Sequence, residues 1–149
     1  MAKFVYKMQN LLSIKLKLED QAKTAFGEAK ARLNEEEEKL ELLQNRRLNY
    51  ERELTEKMEG KLNIMEIRQT EEAVEILKYK IQMQKIAVNT ANQQLELARI
   101  KLNEAIQERK IQESLKEKAF FAFKEELKAE EQKEVDERVS FMYRDSEEE

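Results

Sequence analysis

The sequence of 149 residues contains no cysteine, histidine, tryptophan or proline, and only two glycines. Without cysteine or histidine, the chain cannot form a disulfide, a thiolate or imidazole metal site, or a catalytic pair built on those side chains. Without proline, and with glycine only at positions 27 and 60, few residues interrupt a helix. These absences exclude several classes of enzyme and favour long helices.

Long apolar runs are also missing, and none approaches the roughly 20 residues that span a bilayer. The first 18 residues carry four lysines and no acid. They lack a continuous apolar core and a small-residue cleavage site, so we expect no secretory signal. A basic amphipathic start is also typical of membrane-surface contact, which stays an alternative. The net charge of −4 argues against a general nucleic-acid binder.

Charged residues make up 40% of the chain, against about a quarter in ordinary domains. The commonest residues are strong helix formers, above all Glu, Lys and Leu. Such a composition is typical either of disorder or of long helices with an apolar stripe. The spacing of the apolar residues decides between the two.

In the second half, residues at alternating steps of three and four form an a/d seam, which predicts a coiled coil. Only Gln84 is polar within it. The seam comprises Val74, Leu77, Ile81, Gln84, Val88, Ala91, Leu95, Ala98, Leu102 and Ala105. Arg109 and Gln112 then interrupt the stripe. It resumes at Leu115, Ala119, Phe120, Phe123 and Leu127.

The first half repeats this pattern with more polar interruptions. One face carries Phe4, Met8, Leu11, Leu18, Ala22, Ala25 and Ala29, with Lys15 among them. From Leu33 the stripe shifts phase, which predicts a stutter that locally relaxes a supercoil. It continues through Leu40, Leu43, Tyr50 and Leu54, with Glu36 and Arg47 as polar members.

Gly60 is a natural helix C′ residue, and Asn63 or Thr70 could cap a second helix. We therefore predict one all-α domain over 1–149, an antiparallel coiled-coil hairpin of two long helices. The helices should cover about 4–58 and about 66–140, with a turn over about 59–66 and a disordered acidic tail over about 144–149.

With a turn near residue 64, facing residue numbers should sum to about 128. That register predicts Lys15 near Gln112 and Glu113, so that polar interruptions meet. It also predicts Phe4 and Met8 beside Phe120 and Phe123. Phe121 should point elsewhere, and the helix beyond Leu127 should extend without an intramolecular partner.

No catalytic, cofactor-binding or metal-binding constellation is present. The acid cluster over 35–38 is interpreted as a solvated helix face, because paired carboxylates need a desolvated cleft to work as acid and base. No glycine-rich phosphate loop occurs. The sequence predicts a protein that is not an enzyme.

Essentially the whole chain resembles the FliJ family of the bacterial flagellar type III export apparatus, most clearly in its C-terminal third. The match rests on "LNEAIQERKIQESLKEKAFFAF" and on "EEQKEVDE", with its Glu-Gln-Lys at 131–133 and its Asp136-Glu137 pair. The start "FVYKMQNLLSIKLKLEDQAK" is also similar to the family's. Heptad spacing does not require the Glu-Gln-Lys-x-x-Asp-Glu ending, so this ending is the most specific part of the resemblance.

The resemblance implies a cytoplasmic protein, peripheral at the membrane, that binds the hexameric export ATPase FliI, the export gate FlhA and export chaperones. It implies no cofactor. The ATPase contact would lie at the open end of the hairpin, on Met8, Leu11, Leu12, Lys15, Phe120, Phe121, Phe123, Gln132, Asp136 and Glu137. The gate contact would lie near the turn, on Leu43, Tyr50, Ala73 and Leu77. Arg46 and Lys80 depart from the family there, because an aromatic or small residue is expected at each.

Three other classes stay open. A holdase chaperone with coiled-coil arms should show β-strand segments beside the turn, for which "KLNIMEIRQ" is the only candidate. A filament segment should prefer a parallel dimer without a turn. A stalk protein of a virulence-type secretion system would have the same architecture as the flagellar one.

Overall fold

Two helices account for nearly all of the computed structural model, which describes residues 3–61 and 63–148. Helix α1 spans Gln9–Glu59 and helix α2 spans Ile64–Glu148. No strand occurs among the described residues. The prediction of an all-α fold made of two long helices that pack against each other is confirmed.

Both helices differ from the predicted ones at their outer ends. Residues 3–6 are irregular, and α1 begins where the Gln9 N–H donates to the Tyr6 carbonyl at 3.2 Å. Helix α2 runs on to Glu148, through the tail that was expected to be disordered. The chain has no proline or glycine after Gly60, so nothing in the sequence stops α2 earlier.

The connection between the helices is short and is capped by a side chain. The Asn63 Oδ1 accepts hydrogen bonds from the N–H groups of Met65 at 3.2 Å and Glu66 at 3.5 Å. Asn63 is therefore the N-cap of α2, as one of the two predicted alternatives had it. Thr70, the other alternative, is buried inside α2, and its hydroxyl donates to the Glu66 carbonyl at 2.9 Å.

By their contacts, the helices divide into two compact units, where the sequence prediction had one domain. We call Gln21–Asn103 the turn unit. We call the residues up to Asp20 together with those from Glu104 onward the terminal unit. Both helices contribute to each unit.

The predicted seam of α2 is confirmed, because every member from Val74 to Ala105 is buried or half-buried. Four of them, Val74, Leu77, Ile81 and Ala91, are at most 7% exposed. Arg109 and Gln112 do not break the spacing. Both are half-buried and continue the same steps of three and four.

The seam of α1 differs from the prediction. Glu19 is buried and Phe26 is half-buried, whereas the predicted seam members Leu18 and Ala25 are exposed. With these two in the seam, the steps of three and four run unbroken from Leu12 to Arg47, so the predicted stutter near Leu33 is wrong. At Leu18 and Glu19, the prediction failed because it assigned the apolar residue to the seam instead of its charged neighbour.

The register in the turn unit is shorter than expected by about one to two helical turns. Helix α1 ends at Glu59 and helix α2 begins at Ile64, and these two residue numbers sum to 123 instead of the expected 128. The Gln84 Nε2 donates to the Glu36 backbone carbonyl at 2.8 Å and to its Oε2 at 2.5 Å, and 36 and 84 sum to 120. A sum of 128 would have placed Gln84 opposite residue 44, close to Leu43, but Gln84 contacts Glu36, a polar member of the other seam.

The same correction holds in the terminal unit. The Lys15 Nζ lies 2.8 Å from the Glu108 Oε2, and 15 and 108 sum to 123. The prediction had placed Lys15 beside Gln112 and Glu113. The error came from centring the turn near residue 64, whereas the helix ends centre it between 61 and 62.

Beyond Leu127, α2 packs against none of the residues that the structure describes. Every residue described from 128 to 147 is exposed, and we call this segment the extension. Its prediction as an unpartnered helix is confirmed. A helix of this length gains little stability in water without a packing partner.

Replacing Ile81, which is 3% exposed, by alanine should lower the free energy of unfolding by about 2–4 kcal/mol. The cause is loss of buried methyl groups at the seam. The matched control is Ile86→Ala on the same helix, where the side chain is 60% exposed. It should change stability by less than about 0.5 kcal/mol. Urea unfolding followed by circular dichroism measures both, and equal effects would contradict the seam assignment.

Candidate functional site

An aromatic cluster joins the two chain segments of the terminal unit. The Phe4 ring packs edge-on against Phe120, with centroids 5.1 Å apart, and lies 5.5 Å from the Phe123 centroid. The Lys124 Nζ sits 4.8 Å above the Phe120 ring, a cation–π contact. The predicted meeting of Phe4 with Phe120 and Phe123 is confirmed, and it ties the irregular start of the chain to α2.

The apolar residues expected to bind the ATPase fall into two groups. Phe121 is 65% exposed and Met8 is 48% exposed, so both are available to a partner. Leu12 is 4% exposed and Leu11 is half-buried, so these two serve mainly the packing of α1. Phe121 points away from the aromatic cluster, as its position one residue from Phe120 predicts.

Three of the four polar residues expected at the same contact lie on the extension and are exposed: Gln132, Asp136 and Glu137. The Gln132 Nε2 donates to the Asp136 Oδ1 at 3.1 Å, one turn along the helix. Apolar side chains accompany them at half to two-thirds exposure. These are Val135, Val139, Phe141, Met142 and Tyr143. The sequence prediction did not assign Val135 individually, although its four-residue spacing from Val139 signals a common face.

Besides the aromatic cluster, charged pairs hold the two helices of the terminal unit together. Arg109 makes ion pairs with Glu19 of α1 and with Glu113 one turn along α2, the latter at 2.7 Å. Glu19 is 5% exposed, so one member of the group is removed from water. Burial lowers the pKa of Arg109, but Glu113 and Glu19 raise it by more, and the net shift is upward. Lys15, a predicted ATPase contact, is engaged here with Glu108.

Sequence reasoning missed Glu19, although a signal was present. Residue numbers 19 and 109 sum to the predicted 128, so the expected register itself placed an acid opposite Arg109. Both side chains are long and lean toward the N-terminus of their own helix. In an antiparallel pair these directions converge, which lets them meet about one turn off the backbone register.

In the turn unit, three of the four predicted gate-contact residues line one surface groove. Tyr50 is 37% exposed, Ala73 is half-buried and Leu77 is 6% exposed. Arg46 and Lys80 line the same groove. Leu43 is half-buried outside it. The residues that a partner can reach are therefore Tyr50 and Ala73 more than Leu77.

The described residues contain no group of acidic side chains placed to hold a metal ion. None of the helices over those residues is long and apolar enough to cross a membrane. The helix surfaces expose aromatic rings, aliphatic side chains and charged groups. These features define a two-helix protein whose exposed side chains are available for contacts with other molecules.

The chain belongs to the FliJ family: a model of that family, described as flagellar FliJ protein, matches residues 4–148. The family is a non-catalytic part of type III export, so this protein is a component of that apparatus. A solved structure described as a homolog of YscO, CT670 from Chlamydia trachomatis, shares the fold. It has a TM-score of 0.61 and 21% identity over 99% of each chain. No curated protein matches the chain.

Replacing Arg109 by glutamine should lower the urea midpoint clearly, because it leaves the buried Glu19 facing a neutral side chain. The control is Arg99→Gln, which removes a solvent-exposed pair with Glu96 three residues away. Exposed pairs of this kind contribute little, so the midpoint should barely move. Equal midpoints for the two variants would show that the Glu19–Arg109 pair does not stabilise the helix packing.

Proposed function

We propose that the protein binds the hexameric export ATPase FliI as a central stalk, and that it promotes the assembly and activity of the ring. Through its turn unit it contacts the export gate FlhA, which brings it to the cytoplasmic face of the membrane. It also interacts with export chaperones. This role is the one that members of the FliJ family suggest, and two surfaces of the chain support it.

The observation that carries the proposal is the extension. It is a helix of about five turns whose described side chains are all exposed, yet it carries Val135, Val139 and Met142 at steps of four and three. Such an apolar stripe without a packing partner is typical of a helix that docks into another protein. Phe121, 65% exposed on the same helix, lengthens the surface available to that partner.

Charge distribution also suits a stalk inside a ring. The extension carries charges of both signs, with Lys133 beside Glu134 and Arg138 beside Glu137, and its acids outnumber its cations. A surface of mixed charge stays hydrated and makes few strong contacts, so a helix that carries it can sit in a polar pore without adhering along its whole length. The few exposed apolar side chains then supply the specific contact.

The groove of the turn unit supports the second contact. Tyr50, at 37% exposure, offers an amphipathic ring of the type enriched at interfaces. Ile76 lines the same groove and is 57% exposed. An apolar surface that survives on an otherwise charged helix pair favours a partner there.

The ATPase contact is tested with a chain that ends at Leu127 and also carries Phe121→Ala. We expect weaker binding to FliI and loss of stimulated ATP hydrolysis, because both exposed parts of the surface are gone. Wild-type stimulation should saturate near about one copy per six ATPase subunits if the protein is a central stalk. Titrated ATP hydrolysis and surface plasmon resonance provide the measurements.

The control for that experiment is Tyr79→Ala, which removes an exposed aromatic ring from the turn unit and should leave stimulation unchanged. Circular dichroism of the shortened chain should show loss of helix only from the missing residues. Unchanged affinity in the shortened variant would refute the ATPase assignment. Absence of stimulation by the wild-type chain at any ratio would favour a chaperone escort instead.

The gate contact is tested with Tyr50→Ser and with Ala73→Glu, each at a side chain that a partner can reach. Leu77→Asp would be less informative, because Leu77 is 6% exposed and its replacement also disturbs the seam. We expect both variants to lose FlhA binding and swimming motility while they keep ATPase stimulation. Full motility with normal FlhA binding would exclude this groove as the gate contact.

A second candidate is the equivalent stalk of a virulence-type secretion system. The fold likeness to the YscO homolog favours it, since both chains are covered almost completely. Complementation separates the two candidates. Rescue of motility in a strain that lacks its flagellar FliJ protein supports the flagellar role, and rescue of effector secretion alone supports the other.

A further inference from the structure

The groove of the turn unit is unusual in its charges. Its apolar lining is Tyr50, Ala73, Ile76 and Leu77, and two cations, Arg46 and Lys80, lie among these side chains. Neither cation makes an ion pair with any residue that the structure describes. Other charged side chains of the turn unit do pair, such as Arg47 with Glu51 at 3.0 Å and Lys78 with Glu75 at 3.1 Å. Glu53 is the one acid in the groove.

An exposed apolar stripe continues from this groove along α2. Ile76, Tyr79, Met83 and Ile86 follow one another at steps of three, four and three. Their exposures are 57%, 64%, 48% and 60%. These positions lie on the side of α2 turned away from its buried seam, where a two-stranded coiled coil normally carries polar residues.

The spacing of the stripe indicates what kind of segment would cover it. Side chains at steps of three and four stay in line over several turns only against another helix that runs along them. An extended strand or an irregular loop would meet them out of step. The occupant of the stripe and the groove is therefore a helix with an apolar face of its own.

The charges indicate the polar character of that helix. Two unpaired cations beside the apolar side chains of this groove favour a partner that brings carboxylates to them. A second copy of this chain is a poorer occupant, because a self-complementary contact would present the same two cations with only Glu53 to oppose them. The net charge of the whole chain is −4, so attraction of an acidic partner must come from this local surface.

We propose that the groove and stripe of the turn unit bind an acidic amphipathic helix of a partner protein. Its apolar face covers Ile76 and Tyr79, and its flanking carboxylates pair with Arg46 and Lys80. The inference builds on the proposed gate contact and adds the chemistry of the partner segment.

The test uses the full chain and two synthetic helical peptides of about three heptads. Both carry leucine at the a and d positions; one has glutamate on its flanks and the other has lysine. Fluorescence anisotropy at low and moderate salt should show tighter binding of the glutamate peptide, weakening as salt rises. A general charge effect would give the opposite order, because the protein is net negative. Equal or tighter binding of the lysine peptide would overturn the proposal.

Variants locate the binding. The double variant Arg46→Glu, Lys80→Glu should bind the glutamate peptide about tenfold more weakly, because two attractions become repulsions. The same variant should bind the lysine peptide more tightly. The matched control, Arg32→Glu with Lys101→Glu, reverses one exposed arginine and one exposed lysine of the same unit and should leave the ratio unchanged. Equal effects of the two double variants would overturn the assignment to this groove.

Two further measurements separate this inference from its alternatives. If FlhA binds the wild-type chain and the Arg46→Glu, Lys80→Glu variant equally, the gate contact stands and the acidic-helix inference fails. If FlhA does not bind at all but the glutamate peptide behaves as expected, the gate contact fails and the inference stands for another partner. A dimer in sedimentation equilibrium that Tyr79→Glu dissociates would overturn it in favour of a second copy.

Discussion

The structure depends on one constraint: each helix can bury only a single stripe against the other. The buried seam is consequently thin, and its most buried hydrophobic members are Leu12, Val74, Leu77, Ile81 and Ala91. A pair of helices of this kind has only a narrow interior, and most of its described side chains are exposed or half-buried. The exposed side chains are the ones that a partner can contact.

Polar side chains inside the seam give the packing its specificity. Apolar heptads alone tolerate a shift by one heptad with little loss, because leucine, isoleucine and alanine pack against one another in many registers. Glu36 with Gln84 in the turn unit, and Glu19 with Arg109 in the terminal unit, do not tolerate such a shift, since it would leave a charged or amide group without its partner. These pairs cost stability relative to apolar packing and fix which residues face each other.

The surfaces that the seam leaves exposed differ in chemistry between the two units. In the terminal unit, the extension combines mixed charge with a few exposed aliphatic and aromatic side chains. In the turn unit, a groove with two cations adjoins an apolar stripe on the outer side of α2. Different chemistry on two units favours different partners, as the proposed function requires.

The sequence by itself determined the two helices, the position of the connection, the meeting of Phe4 with Phe120 and Phe123, and the unpartnered extension. Heptad spacing and the absence of proline act locally, so they can be read from the chain. Only the tertiary structure decided the register, the burial of Glu19 in place of Leu18 and the grouping of Arg46 with Lys80. These depend on how far long side chains reach and on which residues face them across the seam. A shift of one turn leaves the apolar pattern almost unchanged, and polar contacts between the helices distinguish the alternatives.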